Sequence, residues 1–316
     1  MFEHVELLDR SHWLLADFEC LWKSDDGGLT WRQSFRVNAD SVGARYVQGL
    51  SFLDGRVGFL SLGQHVLRTA DGGASWTETA LPEIWANDCY FVDELRGWVV
   101  GHVSTEGWLS NPRIPQYVGA VFATQDGGKT WQRQRLPPRG VYSDKNEGIK
   151  WTLADVLFRD ARVGWALGDE IAFWTTDGGE TWRQAEAPRM RYKSIEFLDD
   201  QFGWATERDG TRVAVTTDGG QRWRLVKALP AFGTWKAQVV FVTPSHGFAT
   251  VLALYETTDG GRSWTLRLGS NRIGEASYYY VGRPRDGTLV ALGSISGSVT
   301  SLISTDVGET WHSGDH

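Results

Sequence analysis

Apolar and polar positions along the chain recur in one order. An apolar segment ends in Phe-x-Asp or a relative of it. A short polar turn follows, and Gly-Trp or Gly-Phe then opens a second apolar segment. The clearest cases are FLDGRVGFLSLG from Phe52, FVDELRGWVVG from Phe91, LFRDARVGWALG from Leu157, FLDDQFGWATE from Phe197 and FVTPSHGFATV from Phe241. The first unit has LLDRSHWLLAD from Leu7, and the last departs furthest, with VGRPRDGTLVALG from Val281. Short apolar runs bounded by Gly, Asp and Pro predict β-strands. Alternation at Val213-Ala214-Val215 and Ile171-Ala172-Phe173 points the same way. No window sustains a helical period.

A third apolar segment leads each time into a polar eight-residue cassette closed by tryptophan. The seven copies are SDDGGLTW at 24–31, TADGGASW at 69–76, TQDGGKTW at 124–131, TTDGGETW at 175–182, TTDGGQRW at 216–223, TTDGGRSW at 257–264 and STDVGETW at 304–311. The closing tryptophans are spaced 45, 55, 51, 41, 41 and 47 residues apart. A period in that range belongs to propellers and arrays. Each unit then reads as four strands. A is the Phe-x-Asp segment, B follows Gly-Trp, C leads into the cassette, and D carries its Trp. The expected fold is all-β, a seven-bladed β-propeller of four-stranded antiparallel blades with only short, protected edges. One domain would span 1–316, with blades near 1–38, 39–81, 82–137, 138–187, 188–229, 230–269 and 270–316. Residues before Ser24 supply A, B and C of unit 1, and those after Trp311 a short D of unit 7. Closure is therefore expected without strand exchange.

The cassette chemistry is local. Asp26, Asp71, Asp126, Asp177, Asp218, Asp259 and Asp306 each bond the backbone of their own turn, and Gly-Gly supplies positive φ. One Asp per blade cannot converge on one ion, so these seven are structural and no metal is expected. The cassette resembles the Asp-box, or BNR repeat, of sialidases, two-propeller xyloglucanases, sortilin-type receptors and photosystem II stability and assembly factors. Together with F-x-D and G-W-x-x-G, it resembles most the assembly factor family and its bacterial relatives. That resemblance covers essentially the whole chain. It implies a chaperone-like or assembly role rather than a particular client.

Composition narrows the partners. With 32 Lys and Arg against 39 Asp and Glu, the formal net charge is −7 among 316 residues, which argues against nucleic acid. Cys20 and Cys89 fall in different units and give no disulfide framework. Met1 is followed by Phe-Glu-His-Val-Glu rather than a secretory leader, and no apolar run reaches membrane length, so the expected location is cytoplasmic, without a membrane span.

Loop length breaks the symmetry. Unit 3 has a long B–C insertion at about 102–119, HVSTEGWLSNPRIPQYVG, which contains Trp108. The link from unit 3 to unit 4, about 136–150, is also long. B–C and D–A loops should share the face away from the cassettes. An aromatic recurs about six residues before strand A ends: Tyr46, Trp85, Trp151, Tyr192, Trp235 and, before the divergent strand, Tyr278. Arg45, Lys150, Arg191, Lys193 and Lys236 accompany most of them. This pattern predicts an aromatic and cationic rim that docks a protein or peptide, or else aromatics that simply pack between blades. Aromatic and Arg side chains are the usual anchors of binding surfaces.

Enzyme signatures are thin. Arg113-Ile114-Pro115 matches a sialidase strand but lies in the wrong unit, and Arg189, Arg191, Arg272, Glu275 and Tyr278 to Tyr280 show no telling spacing. Glu147, Asp169 and Glu207 could pair as glycosidase carboxylates, with the same aromatics stacking on sugar. His65 and His102 are the histidines placed near this face. No metal spacing, phosphate loop or nucleophile elbow occurs. The expectation is a non-enzymatic binding scaffold without cofactor, with carbohydrate binding or glycoside processing as the alternative.

Overall fold

The computed structural model describes residues 4–17, 19–37, 46–105, 116–138, 151–208, 212–226, 229, 238–269, 277–284, 287–295 and 298–313. These hold twenty-eight strands in seven four-stranded antiparallel sheets, the blades of a seven-bladed β-propeller. Blade 1 is β1 (His4–Leu7), β2 (Trp13–Ala16), β3 (Cys20–Ser24) and β4 (Arg32–Arg36). Blade 2 is β5 (Gly49–Phe52), β6 (Gly58–Leu62), β7 (His65–Thr69) and β8 (Thr77–Ala80). Blade 3 is β9 (Ile84–Phe91), β10 (Gly97–Thr105), β11 (Gln116–Thr124) and β12 (Gln132–Arg133). Blade 4 is β13 (Leu153–Phe158), β14 (Gly164–Gly168), β15 (Ile171–Thr175) and β16 (Arg183–Gln184). Blade 5 is β17 (Tyr192–Phe197), β18 (Gly203–Glu207), β19 (Val213–Thr216) and β20 (Arg224–Leu225). Blade 6 is β21 (Gln238–Phe241), β22 (Gly247–Val251), β23 (Ala253–Thr257) and β24 (Thr265–Leu268). Blade 7 is β25 (Ser277–Gly282), β26 (Leu289–Ile295), β27 (Ser298–Ser304) and β28 (His312–Ser313). Every sheet is four consecutive strands, so no blade borrows a strand from the other end of the chain.

Two compact units divide these blades. One comprises Met1–Val5, Leu15–Leu21 and Gln33–Lys193 and holds blades 2, 3 and 4 with part of blade 1. The other comprises Glu6–Leu14, Trp22–Arg32 and Ser194–His316 and holds the rest of blade 1, blade 5 from Ser194, and blades 6 and 7.

The blade motif follows from two local bond sets. In the A–B turn of blade 2, Asp54 Oδ1 accepts the N–H groups of Arg56 and Val57, both at 2.7 Å. In blade 6, Thr243 stands in that place and accepts from Ser245 and His246. The cassette at 69–76 closes the other hairpin. Thr69 Oγ1 donates to Asp71 Oδ1 at 2.8 Å and accepts the Gly73 N–H at 2.9 Å. Asp71 accepts the Ser75 N–H at 2.9 Å and its hydroxyl at 2.6 Å. Trp76 Nε1 donates to the Gly73 carbonyl at 3.1 Å. The two turns meet at the same end of the blade, where the Gly72 N–H bonds the Arg56 carbonyl at 2.8 Å.

Packing explains the remaining motif residues. A Cβ on Gly58, Gly97, Gly164, Gly203 or Gly247 would fall 2.3 to 2.8 Å from the ring of Phe52, Phe91, Phe158, Phe197 or Phe241, respectively. Glycine opens strand B because the Phe of Phe-x-Asp lies flat across it. The aromatic after that glycine reaches the next blade. Phe59 stacks on Phe91, and Trp98 on Phe158, both at 3.4 Å. In the second unit, Trp204 lies 5.4 Å from Phe241 and donates from Nε1 to the Val239 carbonyl at 2.8 Å. The cassette tryptophan closes on the same Phe from its own blade, Trp182 meeting Phe158 edge-on at 5.9 Å.

Strand alternation is corrected by this packing. Val213, Ala214 and Val215 are all buried, as are Ile171, Ala172 and Phe173. Both faces of an inner strand are covered by neighbouring blades, so a continuous apolar run replaces the half-buried pattern.

In six cassettes the residue after Asp is a glycine at φ between 70° and 79°, and in the seventh it is Val307 at φ 62°. A β-branched residue there is strained, and Val307 is 49% exposed, so it gains little from burial. Val307→Gly should stabilise the protein by about 0.5–1 kcal/mol in chemical unfolding, the relief of strain exceeding the entropy cost of glycine. The cassette carboxylates also set an acid limit. Hydroxyl and backbone N–H donors from Thr30, Ser75, Thr130, Ser263 and Thr310 hold Asp26, Asp71, Asp126, Asp259 and Asp306 down to about 2. A depressed carboxyl contributes stability above its unfolded value of about 4 and loses it as pH falls through the folded one. Unfolding midpoints should therefore decline between about pH 4 and pH 2. Replacing Asp71 and Asp126 by Asn should lower stability at neutral pH and flatten that decline.

Candidate functional site

At the end of blades 2 to 4 away from the cassettes, one hairpin stands out. β10 and β11 pair over nine positions, from Gly97 with Thr124 to Thr105 with Gln116. The long insertion thus begins and ends as strand: His102 faces Gly119 and Ser104 faces Tyr117. Residues 106–115 and 139–150 lie outside the described residues.

A polar cluster links this hairpin to blade 4. His102 pairs with Trp85 on β9, and its ring meets that of Tyr117 edge-on at 4.8 Å. Thr152 Oγ1 lies 3.4 Å from His102 Nδ1. Asn87 Nδ2 donates to Thr152 Oγ1 and to the Leu153 carbonyl, both at 2.6 Å. Asp169 Oδ2 accepts the Thr152 N–H at 3.1 Å, and its own N–H returns to the Thr152 carbonyl at 3.0 Å. Asp169 Oδ1 takes no hydrogen bond among the described residues and lies 3.7 Å from Arg191 Nε, a charge contact beyond hydrogen-bonding reach. Burial lowers the His102 pKa, and the charge of Asp169 only partly opposes this, so the imidazole is neutral at neutral pH. Glu170 holds the turn at φ 56°, with its N–H on the Met190 carbonyl at 3.0 Å.

The structure sorts the expected aromatics into two kinds. Tyr46 and Trp85 are exposed, at 47% and 37%. The indole of Trp85 lies beside Gly63 in the B–C turn of blade 2. Trp151, Tyr192 and Tyr278 are buried, and the expectation of exposed faces is corrected for all three. Trp151 covers Gly119, where a Cβ would fall 2.2 Å from its ring, because the long hairpin leans over the link into blade 4. Tyr192 is 0% exposed, and its hydroxyl donates to the Pro188 carbonyl at 2.7 Å. Tyr278, in the second unit, bonds through its N–H to the Leu252 carbonyl at 2.8 Å, and burial raises its phenol pKa. Arg191 is exposed and Lys193 half-buried. Arg45, Trp108, Lys150, Trp235 and Lys236 lie outside the described residues.

Among the other candidates, His65 Nε2 lies 3.5 Å from Glu78. Asp169 is engaged by Thr152 and Arg191, and Glu207 accepts Arg212 Nε at 2.9 Å. Glu147, Arg113-Ile114-Pro115, Arg272 and Glu275 fall outside the described residues. Cys20 and Cys89 are buried and form no disulfide. Among the described residues no group of three or more His, Cys, Asp or Glu could hold a metal ion, and no helix is long and apolar enough to cross a membrane. Sequence reasoning missed Asn87 and Thr152. Their only signal is polarity inside or next to an apolar strand.

The fold and cassettes define an Asp-box β-propeller with a polar, aromatic-edged face on blades 2 to 4. The model of the family described as photosynthesis system II assembly factor YCF48 matches residues 142–315, and the chain belongs to that family. Photosystem II assembly lipoprotein Ycf48 of Synechococcus sp. (strain CC9902) is 23% identical over 279 residues, covering 82% of this chain and 73% of the relative. A solved structure of YCF48 bound to D1 peptide superposes with a TM-score of 0.64 at 18% identity, over 95% of this chain and 90% of that one. YCF48 from Cyanidioschyzon merolae gives 0.61 at 16% identity, over 93% and 92%. At these identities the structural likeness speaks for the fold alone.

Burial separates packing from surface residues by stability. Trp151→Ala should cost roughly 3–5 kcal/mol in chemical unfolding, as a large buried side chain does. Tyr46→Ala should change stability by no more than about 0.5 kcal/mol.

Proposed function

We propose that this chain is a non-enzymatic docking scaffold that holds an extended segment of a client protein on the face of blades 2 to 4 opposite the cassettes. The observation that carries this reading is that Tyr46, Trp85 and the guanidinium of Arg191 are all exposed on strands and links of one compact unit. Aromatic and Arg side chains supply most of the energy of protein interfaces. The polar cluster beneath them is tied blade to blade through Asn87, Thr152 and Asp169, so the face costs little to organise. Family membership supports an assembly role, and a relative of the same fold carries a D1 peptide. The fitting ligand is a peptide with apolar or aromatic side chains for Trp85 and Tyr46 and a carboxylate near Arg191.

Fluorescence anisotropy with the D1 peptide of that relative tests the reading. Wild type should bind saturably. Trp85→Ala combined with Arg191→Ala should weaken binding by at least about tenfold, at an unchanged unfolding temperature. Absence of wild-type binding, or equal binding by a folded variant, would overturn docking of this peptide class at this face.

A further inference from the structure

At the cassette end of blades 3 and 4, within the first compact unit, lies a cavity of about 520 Å³. The repeat is broken in its wall. In five other cassettes the closing Trp donates from Nε1 to the carbonyl of the second glycine, which is Gly28, Gly73, Gly128, Gly220 or Gly308. Here Gln134 of blade 3 takes that N–H, accepting from Trp182 at 2.9 Å. Its amide donates to the Gly178 carbonyl at 2.9 Å, where Trp98 Nε1 also donates at 3.1 Å. Gln134 is thus fixed at both atoms of its amide. A Cβ on Gly179 would fall 2.0 Å from Gln134 Oε1, so only bare backbone fits beside it. Gly179 lines the cavity and is buried, and among the described residues its carbonyl accepts no hydrogen bond. Buried carbonyls ordinarily have a partner. Three side chains of the same wall are uncommitted: Gln125, Gln132 and Glu180 make no hydrogen bond or ion pair among the described residues.

We infer that this cavity binds a neutral polyhydroxyl ligand of the mono- or disaccharide class. Its lining sets three arginines, Arg96, Arg133 and Arg135, against three carboxylates, Asp126, Asp177 and Glu180. The formal charge of the wall is nil, and a charged ligand of either sign meets a like charge. Apolar recognition is not on offer. Trp98 is the aromatic side chain in the lining, and it is 3% exposed and stacked on Phe158. Ala123 and Ala161 supply the other apolar side chains. A nucleobase, a lipid tail or an aromatic peptide side chain would find no face to lie on. A sugar hydroxyl donates and accepts at once. It can donate to the Gly179 carbonyl and the Glu180 carboxylate, and both donate to and accept from the amides of Gln125 and Gln132. The volume falls in the range of small-molecule sites, a few hundred to about 1,000 Å³. Because Gln134 is already held by Trp182 and Gly178, that part of the wall needs no ordering when the ligand enters. The site lies on the cassette side of the blades and stands apart from the proposed docking face.

Saturation-transfer NMR on the full chain tests this, with maltose, cellobiose and lactose as neutral probes and inorganic phosphate and spermidine as charged ones. At least one of the three sugars should bind saturably and shift the indole N–H resonance of Trp182 or Trp98, which places it at this wall. Gln125→Ala combined with Gln132→Ala should weaken that binding about tenfold, the loss of two modest hydrogen bonds, at an unchanged unfolding temperature. Both side chains are exposed, so the double variant should fold. Binding by none of the three sugars, or equal binding by the folded double variant, would overturn the assignment. Binding of phosphate or spermidine without any sugar would overturn it as well. No arm of the experiment uses a peptide, so its failure and that of the docking reading are separate outcomes.

Discussion

The structure depends on one contact, the ring of the Phe-x-Asp phenylalanine lying flat on the glycine that opens the next strand. With no Cβ at Gly164, Phe158 settles against its own sheet. It then presents one surface to Trp98 of blade 3 at 3.4 Å and an edge to Trp182 of its own cassette at 5.9 Å. A single ring thus joins strand A to strand B, a blade to its neighbour, and the sheet to its outer turn. Dense packing makes such a site intolerant of added volume. Repetition of the Phe, Gly and Trp trio turns a local fit into an architecture.

The cassettes use aspartate in a different way. Each Asp is surrounded by donors from its own eight residues, so its charge is satisfied locally. The most regular acidic feature of the chain is thus accounted for by the turns themselves. Variation in the cassettes is tolerated where the bonds survive. Arg222 lacks the hydroxyl found in the other copies, yet its N–H still bonds Asp218 at 2.9 Å. Val307 takes the glycine conformation at the cost of strain. In the fourth cassette, Gln134 from blade 3 replaces the second-glycine carbonyl as acceptor, taking the Trp182 Nε1–H at 2.9 Å, and its amide donates to the Gly178 carbonyl.

Blade number, strand order and turn chemistry were legible because each rests on bonds between residues two to four apart, such as Asp54 with Val57 and Thr69 with Gly73. Burial of the link aromatics was not. Trp151 is covered because Gly119, far away in sequence, offers a bare backbone for its ring, whereas Trp85 only flanks Gly63 and stays 37% exposed, and Tyr46 stays 47% exposed. The polar cluster was hidden for the same reason. Asn87 and Thr152 are 65 residues apart, and Asp88 and Val156 are 68 apart. Long-range pairs of common polar residues leave no periodic mark. Asp169 and His102 were visible only as polar residues on the right loops, not as neighbours across a seam.

Blades 2 to 4 therefore carry what the repeat does not prescribe: an elongated hairpin, a polar cluster of Asn87, Thr152 and Asp169, and the exposed aromatics Tyr46 and Trp85. Amide hydrogen exchange with and without the D1 peptide tests most directly whether this asymmetry is the functional one. The account predicts slowed exchange at residues 84–87, 101–103, 168–170 and 190–192, with the cassettes unchanged. Slowing confined to the cassette turns, with none at those residues, would contradict it.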